Sequence, residues 1–151
     1  MIIGKDNIKR LIHPQKPSKK VLLLISVPLL GALGTRLFVP GMGYEKESVW
    51  ILLLLISTTL GNGFFEEVLW RGVYMTLFPN RVFFRMILPS ICFGVWHYVP
   101  GSIFHDNITG MIGLMTGSMM MGLVLSYMTK KTNTLWWSIL AHFAGGIIMI
   151  V

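Results

Sequence analysis

Apolar residues along this chain come in blocks rather than at the three-and-four spacing of a helix that buries a single face. Four blocks, at 21–39, 49–65 (with a continuation towards 78), 111–128 and 134–151, approach the roughly 20 residues a helix needs to cross a hydrocarbon core. A fifth, 82–99, is equally apolar apart from Pro89 and His97. Closely spaced blocks without alternation predict helices, because lipid forces each segment to satisfy its own backbone hydrogen bonds. The expected fold is all-α, a polytopic membrane bundle of about five transmembrane helices.

Helix-breaking residues divide the blocks. His13-Pro14 and Lys16-Pro17 interrupt a basic lead at 1–20, and Pro40-Gly41-Met42-Gly43 opens a short external turn at 40–48. The stretch 48–78 would span roughly 45 Å as one helix, more than the hydrocarbon thickness. It must tilt, protrude or break, and Gly61-Asn62-Gly63 is the expected break. Pro79-Asn80 and Pro100-Gly101 end the next elements. In the 111–128 block, Gly113 and Gly117, then Ser118 and Gly122, stand four apart, a spacing that lets helix backbones approach closely in lipid. The six methionines between Met111 and Met128 read as adaptable packing rather than a thioether metal site. Trp50, Trp136 and Trp137 fall near span ends and read as interfacial anchors. The expected organisation is a basic N-terminal segment (1–20), an N-terminal membrane region (21–56) and a core (57–148).

Composition agrees: 54% of residues are hydrophobic and only 13% charged, where a soluble domain runs nearer a quarter charged. The net charge of +7 would suit a nucleic-acid binder, but its distribution points to a membrane. Lys5, Lys9, Arg10, Lys16, Lys19, Lys20, Arg81, Arg85, Lys130 and Lys131 all fall on one side of a five-crossing topology. Arg36 and Lys46, offset by Glu45, Glu47 and Asp106, fall on the other. This is the positive-inside pattern with a cytosolic N-terminus in the cell membrane, and no nucleic-acid partner is expected. Cys92, the sole cysteine, precludes an internal disulfide and reads as a packing residue. Residues 1–34, with Gly31-Ala32-Leu33-Gly34, read as a retained helix rather than a cleaved signal, given the long basic lead.

Against this background Glu66, Glu67, Arg71, His97 and His142 stand out, all inside apolar spans. A charged residue at mid-membrane costs about 2.5–3.5 kcal/mol even on lenient scales, so such residues mark a functional interior. Glu67 and Arg71, four apart, can pair on one helix face. Glu66 points about 100° away from Glu67 and needs another partner. Counted from the cytosolic ends, Glu66 and His97 lie roughly 18 Å deep and His142 roughly 14 Å. A bundle can therefore gather one carboxylate and two imidazoles in one interior cavity. Such a trio can hold and deprotonate a water, with an imidazole donating to the oxyanion formed on attack at a peptide carbonyl. It could equally ligate zinc, and spacing alone leaves both open, as it does a Glu-His pair that only holds helices together. No serine, cysteine or threonine is coupled in sequence to either histidine, which disfavours a covalent nucleophile. His105-Asp106-Asn107 reads as a solvated turn.

Glu66-Glu67-Val68-Leu69-Trp70-Arg71 resembles the Glu-Glu-x-x-x-Arg motif of the CAAX protease and bacteriocin-processing family of intramembrane endopeptidases. Phe93-Gly94-Val95-Trp96-His97 is similar to its Phe-x-x-x-His motif, and Ser138-Ile139-Leu140-Ala141-His142 follows in the family order. The resemblance covers about 57–148. It implies that Glu66 and His97 activate the hydrolytic water, that His142 helps stabilise the oxyanion, and that Glu67 and Arg71 support them. It also implies a peptide or prenylated protein substrate, while family members divide between metalloprotease and metal-independent descriptions. One position departs: the family places Asn or Asp four residues after the last histidine, where this chain has Gly146. An asparagine at 146 would share the His142 face and is expected to be tolerated. A catalytically silent relative, acting as a bacteriocin-immunity factor or scaffold, is the alternative that Gly146 raises. A proton or cation pathway is a third.

Overall fold

The computed structural model describes residues 9, 11–38, 48–78, 81–104 and 108–150. The expected turn at 40–48, apart from Ser48, the Pro79-Asn80 stop and the His105-Asp106-Asn107 loop lie outside these. Among the described residues five long helical rods make up the fold: α1 (Lys19–Phe38), α2 (Val49–Leu77), α3 (Phe83–Ile103), α4 (Ile108–Thr132) and α5 (Trp136–Ile150). The first four are long and apolar enough to cross a membrane. The fifth, with 15 residues, is roughly 22 Å long. Their outward faces are apolar, with Leu23, Trp50 and Phe65 each at least 70% exposed in the isolated chain. Such a surface is stable against lipid rather than water. The protein is an all-α membrane helix bundle.

The expected break at Gly61-Asn62-Gly63 does not occur. The helix runs unbroken through Val49–Glu67, then widens into a π-helical segment at Val68–Val73 before returning to α at Tyr74–Leu77. Gly63 serves packing instead, whereas Gly61 faces open space. A Cβ at Gly63 would stand 3.2 Å from the Phe143 ring, so this glycine lets α2 approach α5. A widened turn also opens α3, at Phe83–Ile87. Pro89 explains it, because a proline without an N–H leaves an upstream carbonyl without its usual donor. The neighbouring Ser90 hydroxyl donates to the next carbonyl, that of Met86, at 2.6 Å.

α5 lies at the centre, packed by α1 on one side and by α2 on another, while α3 packs mainly along α4. Val21 of α1, Leu125 and Met128 of α4 and Ala141 of α5 form the buried core between them. Small residues set these distances. Gly145 faces the Pro28 carbonyl and Ala32 of α1, Gly122 sits against Ser90, and Gly94 against Met115 and Met119. Of the two small pairs expected on α4, Ser118 and Gly122 are buried, but Gly113 and Gly117 face open space. Helical periodicity places the two pairs on different faces, and only one meets α3.

The tryptophans at the start of α5 do more than anchor an interface. The Trp136 indole N–H donates to the Ile12 carbonyl, and that of Trp137 to the Gln15 carbonyl at 2.8 Å. The Leu135 amide and the Thr134 hydroxyl both donate to the Leu11 carbonyl, at 2.9 and 3.1 Å. The N-terminal segment is thus clasped beneath the α4–α5 turn, which Asn133 closes with a left-handed φ of 53°. Asparagine tolerates that conformation better than most residues.

Packing at Gly94 is the tightest of these contacts, since a Cβ there would stand 2.7 Å from the Met115 carbonyl oxygen. Gly94→Ala is expected to cost about 1–3 kcal/mol through overpacking. Gly117→Ala, in open space, is expected to be neutral or slightly stabilising, within about 1 kcal/mol. Thermal unfolding of both variants in detergent micelles checks the pair. Equal midpoints would contradict the α3–α4 seam.

Candidate active site

The carboxylates come from α2, just before its widened segment. Glu67 and Arg71 are both fully buried, and Arg71 Nη1 donates to Glu67 Oε1 at 2.9 Å. The anticipated pair therefore forms. Burial of two charges in a bundle interior is tolerable only with such mutual neutralisation. Glu66, one residue earlier, looks elsewhere. Its Oε1 accepts from Asn62 Nδ2 at 2.9 Å, one turn back along the same face.

His142 enters from α5, where the glycines allow close approach. Its Nδ1 donates to Glu67 Oε1 at 2.9 Å, and its Nε2 lies 3.6 Å from Glu66 Oε2. The imidazole is thus held between two carboxylates, and Glu67 Oε1 accepts from both Arg71 and His142. With Nδ1 committed to Glu67, Nε2 is the nitrogen left to address Glu66 and any substrate.

His97 comes from α3 at a local break in its ladder. The His97 amide bonds to the Gly94 carbonyl at 3.1 Å, three residues back instead of four. The Phe93 carbonyl, which an unbroken helix would pair with that amide, accepts from His97 Nδ1 at 2.8 Å instead. This fixes the tautomer, leaving Nε2 as an acceptor. The Phe93 ring, completely buried, ties the three helices together. Its face carries the Arg71 guanidinium 4.5 Å from the centroid. His97 meets it edge-on at 4.6 Å and His142 at 5.9 Å between centroids.

Glu66 and His142 are thus brought into direct contact, and His97 joins them across Phe93 rather than by a hydrogen bond. Two participants were not anticipated as such. Asn62 stands at the same four-residue spacing from Glu66 as Arg71 from Glu67, a signal obscured by its flanking glycines. Thr59 bears on Gly146: a Cβ at 146 would lie only 2.5 Å from the Thr59 γ-methyl. The expectation that asparagine fits at 146 is therefore corrected, since a stiff β-branched side chain already fills the space. Among the described residues no three His, Cys, Asp or Glu side chains are grouped as metal ligands, and both His142 nitrogens are directed at carboxylates.

Removing one partner of the Glu67–Arg71 pair leaves an uncompensated buried charge, which costs about 3–5 kcal/mol. Glu67→Gln or Arg71→Met alone is expected to lower the yield of folded protein more than both together. The double variant keeps a carbonyl that can accept from His142. Size-exclusion profiles of the three variants at equal expression test this. A double variant as damaged as either single one would contradict it.

No curated protein and no solved structure matches the chain. A family model described as type II CAAX prenyl endopeptidase Rce1-like matches residues 48–148, the region that holds α2 to α4, most of α5 and every side chain of the candidate site. Two thirds of the sequence is covered, and the chain belongs to the Rce1-like family of type II CAAX prenyl endopeptidases.

Proposed function

We propose that this protein is an intramembrane endopeptidase in which Glu66 and His97 activate a water against a peptide bond of a membrane-delivered peptide or prenylated, CAAX-like protein. The observation that carries the reading is the Glu66 carboxylate. It is buried within a membrane span, held through Oε1 by Asn62 and faced at 3.6 Å by His142 Nε2. A water between Glu66 and the free Nε2 of His97 would meet one group able to take its proton and a second able to orient it. Attack on the carbonyl carbon places negative charge on its oxygen, and the proton accepted by Glu66 passes to the leaving amine. His142, its Nδ1 anchored on Glu67, turns Nε2–H towards the developing charge when that nitrogen is protonated. Glu67 and Arg71 hold this imidazole rather than react.

Access supports the same reading. The Val49–Glu67 stretch packs on α5, and α2 meets α3 mainly through its Val68–Leu77 end. A peptide entering between the outer parts of α2 and α3 would reach Asn62, Glu66 and His97 from the lipid side. The orientation we propose puts residues 1–20 and the α4–α5 turn in the cytosol, from the ten basic residues on that side against two on the other. Cysteine-accessibility labelling is expected to find positions 130 and 46 on opposite sides, and labelling from one side would refute it.

Gly146 favours a second reading, a catalytically silent relative that serves as an immunity factor or scaffold. The Thr59 methyl occupies the place of any side chain there, and loss of one oxyanion donor costs about 10²–10³-fold in rate. A single experiment separates the two. Wild type and Glu66→Gln, reconstituted at equal density, are offered prenylated and unprenylated peptides. The protease reading expects cleavage by wild type and a loss of about 10²–10⁴-fold in Glu66→Gln with folding intact. Cleavage that persists in the variant overturns the mechanism, and no cleavage by wild type favours the silent relative.

A further inference from the structure

Asn62 is a polar amide in the middle of a membrane span, between two glycines, on an exposed stretch of α2. A polar side chain is rare at such a place without a partner, and its partner is Glu66 Oε1 at 2.9 Å. The described residues give Glu66 no other hydrogen bond. Its second oxygen stands 3.6 Å from His142 Nε2, too far for a direct one. Without the amide, the carboxylate is free to turn towards His142 and the nearby Arg71, which would draw it away from the open side of the site. Position 146 of α5 offers no side chain in its place, because it is a glycine packed under Thr59.

We propose that Asn62 is a positioning residue for Glu66, holding one carboxylate oxygen so that the other stays turned to the His142 side and to an incoming water. The proposal rests on the hydrolytic role given to Glu66 above, but the orientation it claims exists without turnover. A hydrogen bond from an amide to one oxygen polarises the carboxylate unequally, so its stretching frequencies report the bond. Carboxyl-labelled glutamate allows infrared spectra in which the Glu66 band is assigned by its disappearance in Glu66→Gln.

Four proteins are compared in lipid: wild type, Asn62→Leu, Asn62→Ala and Asn62→Gln. Leucine and alanine both suit a membrane helix, so the band can be read in folded protein even if one of them misfolds. The expected result is a shifted Glu66 band in Asn62→Leu and Asn62→Ala and a smaller shift in Asn62→Gln. Where wild type cleaves peptide, kcat is expected to fall about 10²-fold in the leucine protein while KM changes much less. Glutamine, which can still reach Glu66, should regain part of that rate. A Glu66 band at the wild-type frequency in both the leucine and the alanine proteins overturns the proposal, whatever the rates. A shifted band in a protein that cleaves nothing supports it, and counts against the protease reading alone.

Discussion

One carboxylate oxygen, Oε1 of Glu67, accepts from Arg71 on its own helix and from His142 on α5. In a bilayer, an unpaired charge at that depth would be untenable, so this junction constrains everything near it. It sets the rotation of α2 about its axis, because Glu67 must face α5. It fixes the orientation of the His142 ring, because only one nitrogen can meet Glu67. By neutralising Glu67 internally, it leaves Glu66 as the carboxylate free to face the open side. The adjacent residue is thereby assigned the opposite environment by a 100° turn of the helix.

Close approach makes the junction reachable. Gly63 lets the Phe143 ring and the His142 edge lie against α2, and Gly145 lets α1 press on the other side of α5. Gly94 and Gly122 do the same for α3 and α4. Lipid supplies no hydrophobic drive between helices, so contacts at these small residues and the buried polar links carry the association. The Thr129 hydroxyl donating to Ser138, which donates in turn to the Leu135 carbonyl, is one such link between α4 and α5.

Much of this was legible in the sequence, for a physical reason. Blocks of apolar residues announce spans, and Glu66, Glu67, Arg71, His97 and His142 are conspicuous because ionisable groups inside such blocks need a compensation. The Glu67–Arg71 pair followed from helix spacing alone. Contacts between helices were not legible. Which glycines of α4 meet a neighbour, whether Trp136 and Trp137 face lipid or a carbonyl, and what fills the space beside Gly146 depend on rotations that no local pattern encodes. The Gly61-Asn62-Gly63 stretch misled because glycine lowers helix propensity in water, whereas a membrane helix keeps its ladder and here uses Gly63 for contact. The bend in register came instead at Val68–Val73, where nothing in residue type signals a widened turn.

The clasp of residues 11–15 on the start of α5 joins positions 122 to 124 apart along the chain. None of those bonds can form until residues 134–137 have been synthesised. The helix they seat is the one that brings His142 to Glu67, so the buried carboxylate has only Arg71 as its partner through most of synthesis. Assembly order thereby becomes a safeguard. The residues that would hydrolyse a peptide come together only when α5 has joined the bundle, and a nascent chain halted before α5 carries Glu66 without the His142 imidazole.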